Sequence, residues 1–205
     1  MKKLSDFIFI KDDVLSSEFC ESVIKKFEDE GQSKPGGTGK YNTLNPTIKQ
    51  SYDLAVAPSE GWGYHDSVFC DSLTECYRIY HEQCVKSIPG NNYYSNLHDR
   101  GYKLQRTMPG GFYHWHNDFG VGDERPGKLG ERLITFIWYL NDVNEGGYTE
   151  FIDGTKVQPK QGRILLFPCT WMYGHRGCPP VSNNKYICTG WLHGKVQKTD
   201  PALAK

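Results

Sequence analysis

The sequence has no long hydrophobic run, no net charge and no closely spaced cysteine pair. No segment approaches the roughly 20 apolar residues of a membrane helix, so a bilayer-spanning chain is not expected. The start (MKKLSDFIFIKDD) opens on Lys2 and Lys3, but its apolar stretch is too short for the core of a signal peptide, so no leader is expected either. Lys plus Arg and Asp plus Glu number 24 each, so no overall field attracts phosphate backbones or anionic lipid. That disfavours nucleic acid as a partner, although a local basic groove stays open. The seven cysteines are odd in number and contain no C-x-x-C, which suits reduced thiols in a cytoplasmic protein. There is no internal repeat and no low-complexity tail beyond a short polar C-terminus.

What is present is a 205-residue chain with 14% aromatics, 22 Gly and 11 Pro. Its length suits one domain over residues 1–205, and its composition suits strands and turns better than a helix bundle. Asp6–Ile10 reads as a strand. Ser16 or Ser17 can cap a helix over Ser17–Glu30, with Phe19, Val23, Ile24 and Phe27 on one face, a Glu21–Lys25 pair outside and Gly31 as the stop. Gln32–Gly63 is turn-rich, is expected to hold a strand at Tyr52–Val56, and is long enough to border a site. Asp66 is the expected cap of a second helix, Ser67–Lys86, which buries Phe69, Leu73, Cys76, Tyr80 and Cys84 and is closed by Pro89-Gly90. Residues 1–100 thus form a helical support and loop region.

From residue 101 to 195 the texture changes to short strand-like runs: Tyr102–Thr107, Phe112–His116, Arg132–Leu140, Thr149–Ile152, Lys156–Gln158, Arg163–Phe167 and Tyr186–Leu192. Asn144–Gly147 and Asp153-Gly154 are turns, the latter a hairpin. Two helices followed by about seven strands predict a mainly β, α+β architecture: a jelly roll with the N-terminal helices packed on one sheet.

The chemistry is concentrated in Phe112–Gly120 (FYHWHNDFG), where His116 and Asp118 form a His-x-Asp pair. Roughly one chain in three of this composition would hold such a pair by chance, so it carries little alone. Two imidazoles and a carboxylate on one side of a metal leave the other positions open, as non-haem Fe(II) oxygenases require. His175 is the natural third ligand, with His193 as a competitor near the end of the last strand. Strand alternation also puts His114 on the face of His116, so a cupin-type pair His114-x-His116 with a different metal is the rival. A cupin would add a glutamate four or five residues on, where Gly120 and Val121 stand, so His114 is expected as a polar side chain beside the ligands rather than as a ligand. An iron site with two adjacent open positions suits a bidentate 2-oxo acid. Its remote carboxylate needs a cation inside the barrel, and Lys185, on the strand after the third ligand, can supply it.

A longer pattern runs through the second half. Leu104, Gln105, Gly110, Tyr113, His116 and Asp118 are followed by Arg132, Thr135, Tyr139 and Leu140. Glu145, Gly146, Gly147 and Thr149 come next, then Pro159, Gly162, Leu165 and Phe167, and finally His175, Lys185 and Trp191. In this order they resemble the Fe(II)/2-oxoglutarate-dependent dioxygenases, and within them the prolyl 4-hydroxylase branch. The resemblance covers Lys103 to His193. It implies a double-stranded β-helix in which His116, Asp118 and His175 hold Fe(II), with 2-oxoglutarate and O2 as co-substrates and ascorbate as a candidate reductant. It implies that Lys185 pairs with the C5 carboxylate of 2-oxoglutarate, assisted by Thr149 and Tyr139, with Trp191 near the co-substrate. Arg132 and Tyr113 become candidate substrate contacts. Asp118 argues for hydroxylation, since halogenating relatives lack that carboxylate. The implied activity is hydroxylation of an unactivated C–H bond, on a prolyl or other side chain of a peptide or protein or on a small molecule. A non-catalytic binding module on the same fold is the remaining alternative. Thr107 stands where the family often has a co-substrate tyrosine, which leaves that contact in doubt. The loop Phe119–Gly130 is expected to take part in substrate choice.

Overall fold

The computed structural model describes residues 3–39, 42–89, 97–120 and 132–194. Among them, helix α1 spans Ser17–Glu30. Ser16 Oγ accepts from the Phe19 N–H at 3.2 Å, and Gly31 ends the helix in the left-handed region (φ 60°). Phe19, Cys20, Val23 and Phe27 form its buried face. Outside, Lys25 pairs with Asp29 and not with Glu21. Helix α2 spans Gly63–Tyr80 and runs on into a widened turn, His81–Val85. It begins a turn before the expected Asp66 cap, whose N–H already donates to the Trp62 carbonyl at 2.8 Å. The buried Trp62, its indole N–H donating to Glu30 Oε2 at 3.2 Å, sets the start instead.

The first strand, β1 (Phe9–Lys11), comes later than expected, because Leu4–Phe7 forms a tight helical turn closed by the Lys3 N–H on Asp6 Oδ2 (2.8 Å). The remaining strands are β2 (Lys34–Pro35), β3 (Tyr52–Val56), β4 (Leu97–His98), β5 (Tyr102–Thr107), β6 (Tyr113–His116), β7 (Arg132–Tyr139), β8 (Thr149–Phe151), β9 (Lys156–Val157), β10 (Arg163–Pro168), β11 (His175–Gly177) and β12 (Lys185–Gly194). All pairings are antiparallel. The major sheet has the order β1-β10-β7-β12-β5-β3-β2, with β4 also on β12, and the minor sheet has the order β6-β11-β8-β9. The short β2, β4 and β11 were not anticipated, since each is too brief to show a period.

Alternation along β7 separates two cores. Ile134, Phe136 and Trp138 pack with Phe69, Leu73, Val23 and Phe27 under the helices. Ile137 and Tyr139 pack with Phe151, Val157, Leu165, Phe167 and Tyr173 on the opposite face, towards the minor sheet. This is the expected double-stranded β-helix with helices on one sheet, and the second face of β7 is the one that meets the site.

Candidate metal centre

His116 ends β6, Asp118 lies two residues beyond it, and His175 opens β11 directly opposite His116 in the strand register. One donor atom from each lies within 4.8 Å of the others. Asp118 Oδ1 is 3.8 Å from His116 Nε2, and Oδ2 is 3.7 Å from His175 Nε2. These separations exceed hydrogen-bond length, so the atoms are spaced as ligands of one ion rather than as partners of each other. The far side of each ring is already tied down. His116 Nδ1 faces the His114 carbonyl at 2.8 Å and His175 Nδ1 the Tyr173 carbonyl at 3.0 Å. A carbonyl can only accept, so each Nδ1 carries the proton and each Nε2 presents its lone pair.

The carboxylate is prepared in the same way. Burial alone would raise Asp118, but His175, His116, the Thr135 hydroxyl and the Trp191 indole together hold it below the usual carboxylate range. Thr135 Oγ1 donates to Asp118 Oδ2 at 2.8 Å. Burial, and then the nearby His175, push His116 down to about 4, which keeps it neutral and ligand-ready at neutral pH. Two imidazoles and one ionised carboxylate fit a divalent ion of the Fe(II) type with open positions.

From this centre a cavity of about 70 Å³ runs inward, lined by Tyr113, Thr135, Ile137, Thr149, Cys178, Gln105, Thr107, Ile187, Thr189 and Lys185 together with the three ligand residues. Lys185 is only 5% exposed, and no carboxylate among the described residues pairs with it. Burial brings its pKa down to about 8. Its ammonium sits 5.6 Å from the Tyr139 ring, whose hydroxyl is 2.8 Å from Thr149 Oγ1. A buried cation beside two hydroxyl groups, in a cavity shared with three candidate metal donors, can pair with an anion that enters the cavity. Thr107 lies directly across the strand pair from Lys185 and lines this cavity, although its side chain is short.

The other expected residues are placed as follows. Tyr113 stacks on His116, ring centroids 3.6 Å apart, and burial pushes its phenol up to about 12. The Arg132 guanidinium lies 3.5 Å from the Trp191 ring centre. Trp191 therefore meets Arg132 and Asp118, not Lys185, which lies six residues away along β12, roughly 20 Å. His193 is buried near His98 (6.4 Å between rings) and is outside the cluster of donors.

His114 is a correction. Its side chain is exposed and packs on Phe112, so neither the His114-x-His116 pair nor a polar side-chain role beside the ligands holds. The cause is a β-bulge: His175 pairs with His116 but Gly177 with Tyr113, so β6 carries one more residue than β11 over that interval. The extra residue reverses the alternation, turning Tyr113 inward and His114 out. Only the His114 carbonyl serves the site. Sequence reading also passed over Lys49, Ile137, Cys178 and Thr189, and gave Gln105 no place in the site. The alternation of Thr135, Ile137 and Tyr139 on β7 was the available signal for that wall. The Phe119–Gly130 loop falls mostly on 121–130, outside the described residues.

Residues 102–193 match the family model of the 2OG-Fe(II) oxygenase superfamily. Prolyl 4-hydroxylase subunit alpha-1 of Gallus gallus is 36% identical over 101 residues, covering 43% of this chain and 20% of that protein. A probable prolyl 4-hydroxylase of Arabidopsis thaliana is 29% identical over 126 residues, covering 47% of this chain and 43% of that protein. The match thus spans about a fifth of the first of these curated relatives and less than half of the second. Among solved structures, the viral collagen prolyl hydroxylase of Paramecium Bursaria Chlorella virus-1 in its 2OG complex is similar over 92% of this chain and 97% of that one. The TM-score is 0.66 and the identity 23%. A Trichoplax adhaerens prolyl hydroxylase in complex with a hypoxia inducible factor peptide gives a TM-score of 0.67 at 16% identity, covering 93% of this chain and 84% of that one. At these identities the structural likeness concerns the fold. Taken with the order of motifs and the three converging donors, residues 102–193 are similar to the 2OG-Fe(II) oxygenase superfamily and, among the curated relatives, to prolyl 4-hydroxylases.

Proposed function

We propose that the chain is an Fe(II)- and 2-oxoglutarate-dependent dioxygenase that hydroxylates an unactivated C–H bond in a peptide or protein, with a prolyl side chain the first candidate. One observation carries the reading. The same cavity holds, at one end, three donors with their outer nitrogens already engaged and, at the other, the buried and uncompensated Lys185. The relatives named for prolyl hydroxylation support the substrate class.

In this reading His116 Nε2, Asp118 and His175 Nε2 hold the ion. When bound, the iron and 2-oxoglutarate supply the oxidising chemistry, coupling O2 reduction and oxidative decarboxylation to C–H hydroxylation. The protein's own work is positional. Lys185, beside the Tyr139–Thr149 hydroxyl pair, would hold the distal carboxylate of the 2-oxo acid. Thr135 keeps Asp118 oriented and ionised. Tyr113 and the Arg132–Trp191 stack form the substrate side of the opening, with Arg132 offering a fixed donor to a peptide carbonyl or acidic group. Ile137 and Ile187 keep the inner wall apolar and exclude bulk water. Ascorbate is the proposed reductant for returning iron to Fe(II). A reducing, cytoplasmic setting accords with seven free cysteines.

Anaerobic addition of Fe(II) and 2-oxoglutarate should produce a weak visible metal-to-ligand charge-transfer band that disappears in His175→Ala. Absence of the band at saturating iron would overturn the reading. Succinate formation with proline-containing peptides, set against free amino acids and single-stranded nucleic acid, then tests the substrate class.

A further inference from the structure

The segment ahead of β3 reaches the metal centre from the side. Ile48–Gln50 runs antiparallel along β6: the His114 N–H donates to the Ile48 carbonyl and the Gln50 N–H to the Phe112 carbonyl, both at 2.8 Å, with Lys49 opposite Tyr113. It covers what would be the free edge of the minor sheet. After Ser51 the chain crosses to the major sheet as β3, so this short stretch straps the two sheets together beside the ligands.

Lys49 is the side chain this strap delivers, and only 3% of it is exposed. Its Nζ pairs with Asp53 Oδ2 at 2.7 Å. Asp53 is fixed in turn by Ser51 Oγ at 2.7 Å and Lys103 Nζ at 3.2 Å. Gly36 packs so closely on this cluster that a Cβ there would collide with Ser51 Oγ and Asp53. Burying an ammonium is costly, and Asp53 already has a second cation in Lys103, so neutralising Asp53 does not account for Lys49. Lys49 also faces the Tyr113 ring, 5.3 Å from Nζ, and that ring stacks on His116 at 3.6 Å with the planes 19° apart.

We propose that Lys49 is a positioning residue for the metal centre: tethered to Asp53, it holds Tyr113 against His116 and so fixes the direction of the His116 Nε2 lone pair. His116 then has two constraints, the His114 carbonyl on Nδ1 in the ring plane and Tyr113 on its face. The bulge in β6 that turns Tyr113 inward is what brings the ring within reach of Lys49. The inference rests on His116 being a ligand.

The test is titration of the metal-free protein with Co(II), followed by its visible d–d absorption. Two effects of Lys49→Met have opposite signs. Removing a positive charge near a cation site tightens Co(II) binding, whereas releasing Tyr113 and His116 weakens it and alters the spectrum. The expected result is about tenfold weaker binding with a changed d–d envelope, the scale typical of losing a group that orients a ligand. Lys49→Arg should recover affinity to within about threefold, and in a Tyr113→Leu background Lys49→Met should change affinity no further. Should Lys49→Met fail to fold, the charge-balanced pair Lys49→Met/Asp53→Asn carries the same test. Co(II) affinity equal to or tighter than the parent's in the folded variant overturns the role of Lys49. A parent protein that takes up no Co(II) overturns the metal-centre reading itself.

Discussion

Replacing Lys185 with methionine should abolish tight 2-oxoglutarate binding and, at the same time, stabilise the protein without ligand. Burial lowers the Lys185 pKa from 10.5 to about 8, so the folded chain at pH 7 holds an ammonium it would rather discharge. The difference corresponds to a cost on the order of 3 kcal/mol. Because the folded pKa is depressed, this cost is full below pH 8 and fades as pH rises towards 10.5. Methionine keeps the unbranched stem without the charge, so a Tm gain of about 6–12 °C is expected at pH 7, shrinking towards pH 10. Binding should respond in the opposite sense. Truncating one partner of a buried charge pair costs about 2–5 kcal/mol; at about 3 kcal/mol the Kd for 2-oxoglutarate rises roughly 150-fold. In the parent, the ammonium is mostly protonated at pH 7 and mostly neutral at pH 9, so Kd should climb about tenfold over that interval while the variant stays flat. Calorimetric titration of 2-oxoglutarate into the Mn(II)-loaded protein reads the affinity, and scanning calorimetry reads the stability. A parent-like Kd in Lys185→Met, or a lower Tm at pH 7, would refute the reasoning.

Three further perturbations probe other parts of the site. Thr135→Val removes the hydroxyl that donates to Asp118 Oδ2 and should weaken Co(II) binding about tenfold with little change in Tm; unchanged affinity would show that Asp118 is held by other groups. Arg132→Ala strips the guanidinium from Trp191 and should raise the KM for a proline-containing peptide at least about tenfold, leaving 2-oxoglutarate affinity within threefold. The reverse pattern would move Arg132 to the co-substrate. Gly190→Ala places a methyl 2.5 Å from Phe136 Cζ and 3.0 Å from the Gly101 carbonyl, so about 2–3 kcal/mol of destabilisation and a Tm drop of roughly 5–10 °C are expected from thermal denaturation.

Much of this architecture was legible in the sequence because its signals are local and periodic. Ser16, the apolar face of Phe19, Val23 and Phe27, and Gly31 define α1 from cap to stop, and the structure reproduces those bounds. Strands β3 and β5 were equally plain from their residues. Where a tertiary contact overrides a local signal, the reading slipped. Asp66 is a good cap in isolation, but burying Trp62 against Glu30 is worth more than one capping bond, so α2 starts earlier. The site followed the same rule. His116, Asp118 and His175, which the structure brings together, and Lys185 on the same cavity were singled out by residue type and order, because metal and anion chemistry restricts which side chains can serve. Lys49 was not, since only the three-dimensional path of its strap shows that it meets Tyr113.

The His114 assignment failed for an instructive reason. Period-two alternation is a property of a paired strand, and a single inserted residue reverses it for everything beyond. Nothing local in YHWHND marks that insertion; it appears only when β6 is matched against β11, a strand too short to announce itself. The same bulge is also what the site needs. With regular alternation, His114 would crowd the face of His116, and Tyr113 would turn away from the cavity and from Lys49. With the bulge, His114 gives only its carbonyl, which fixes the tautomer of His116, while Tyr113 comes inward to fix its plane. One extra residue thus removes a competing imidazole from the centre and adds both constraints on the imidazole that stays.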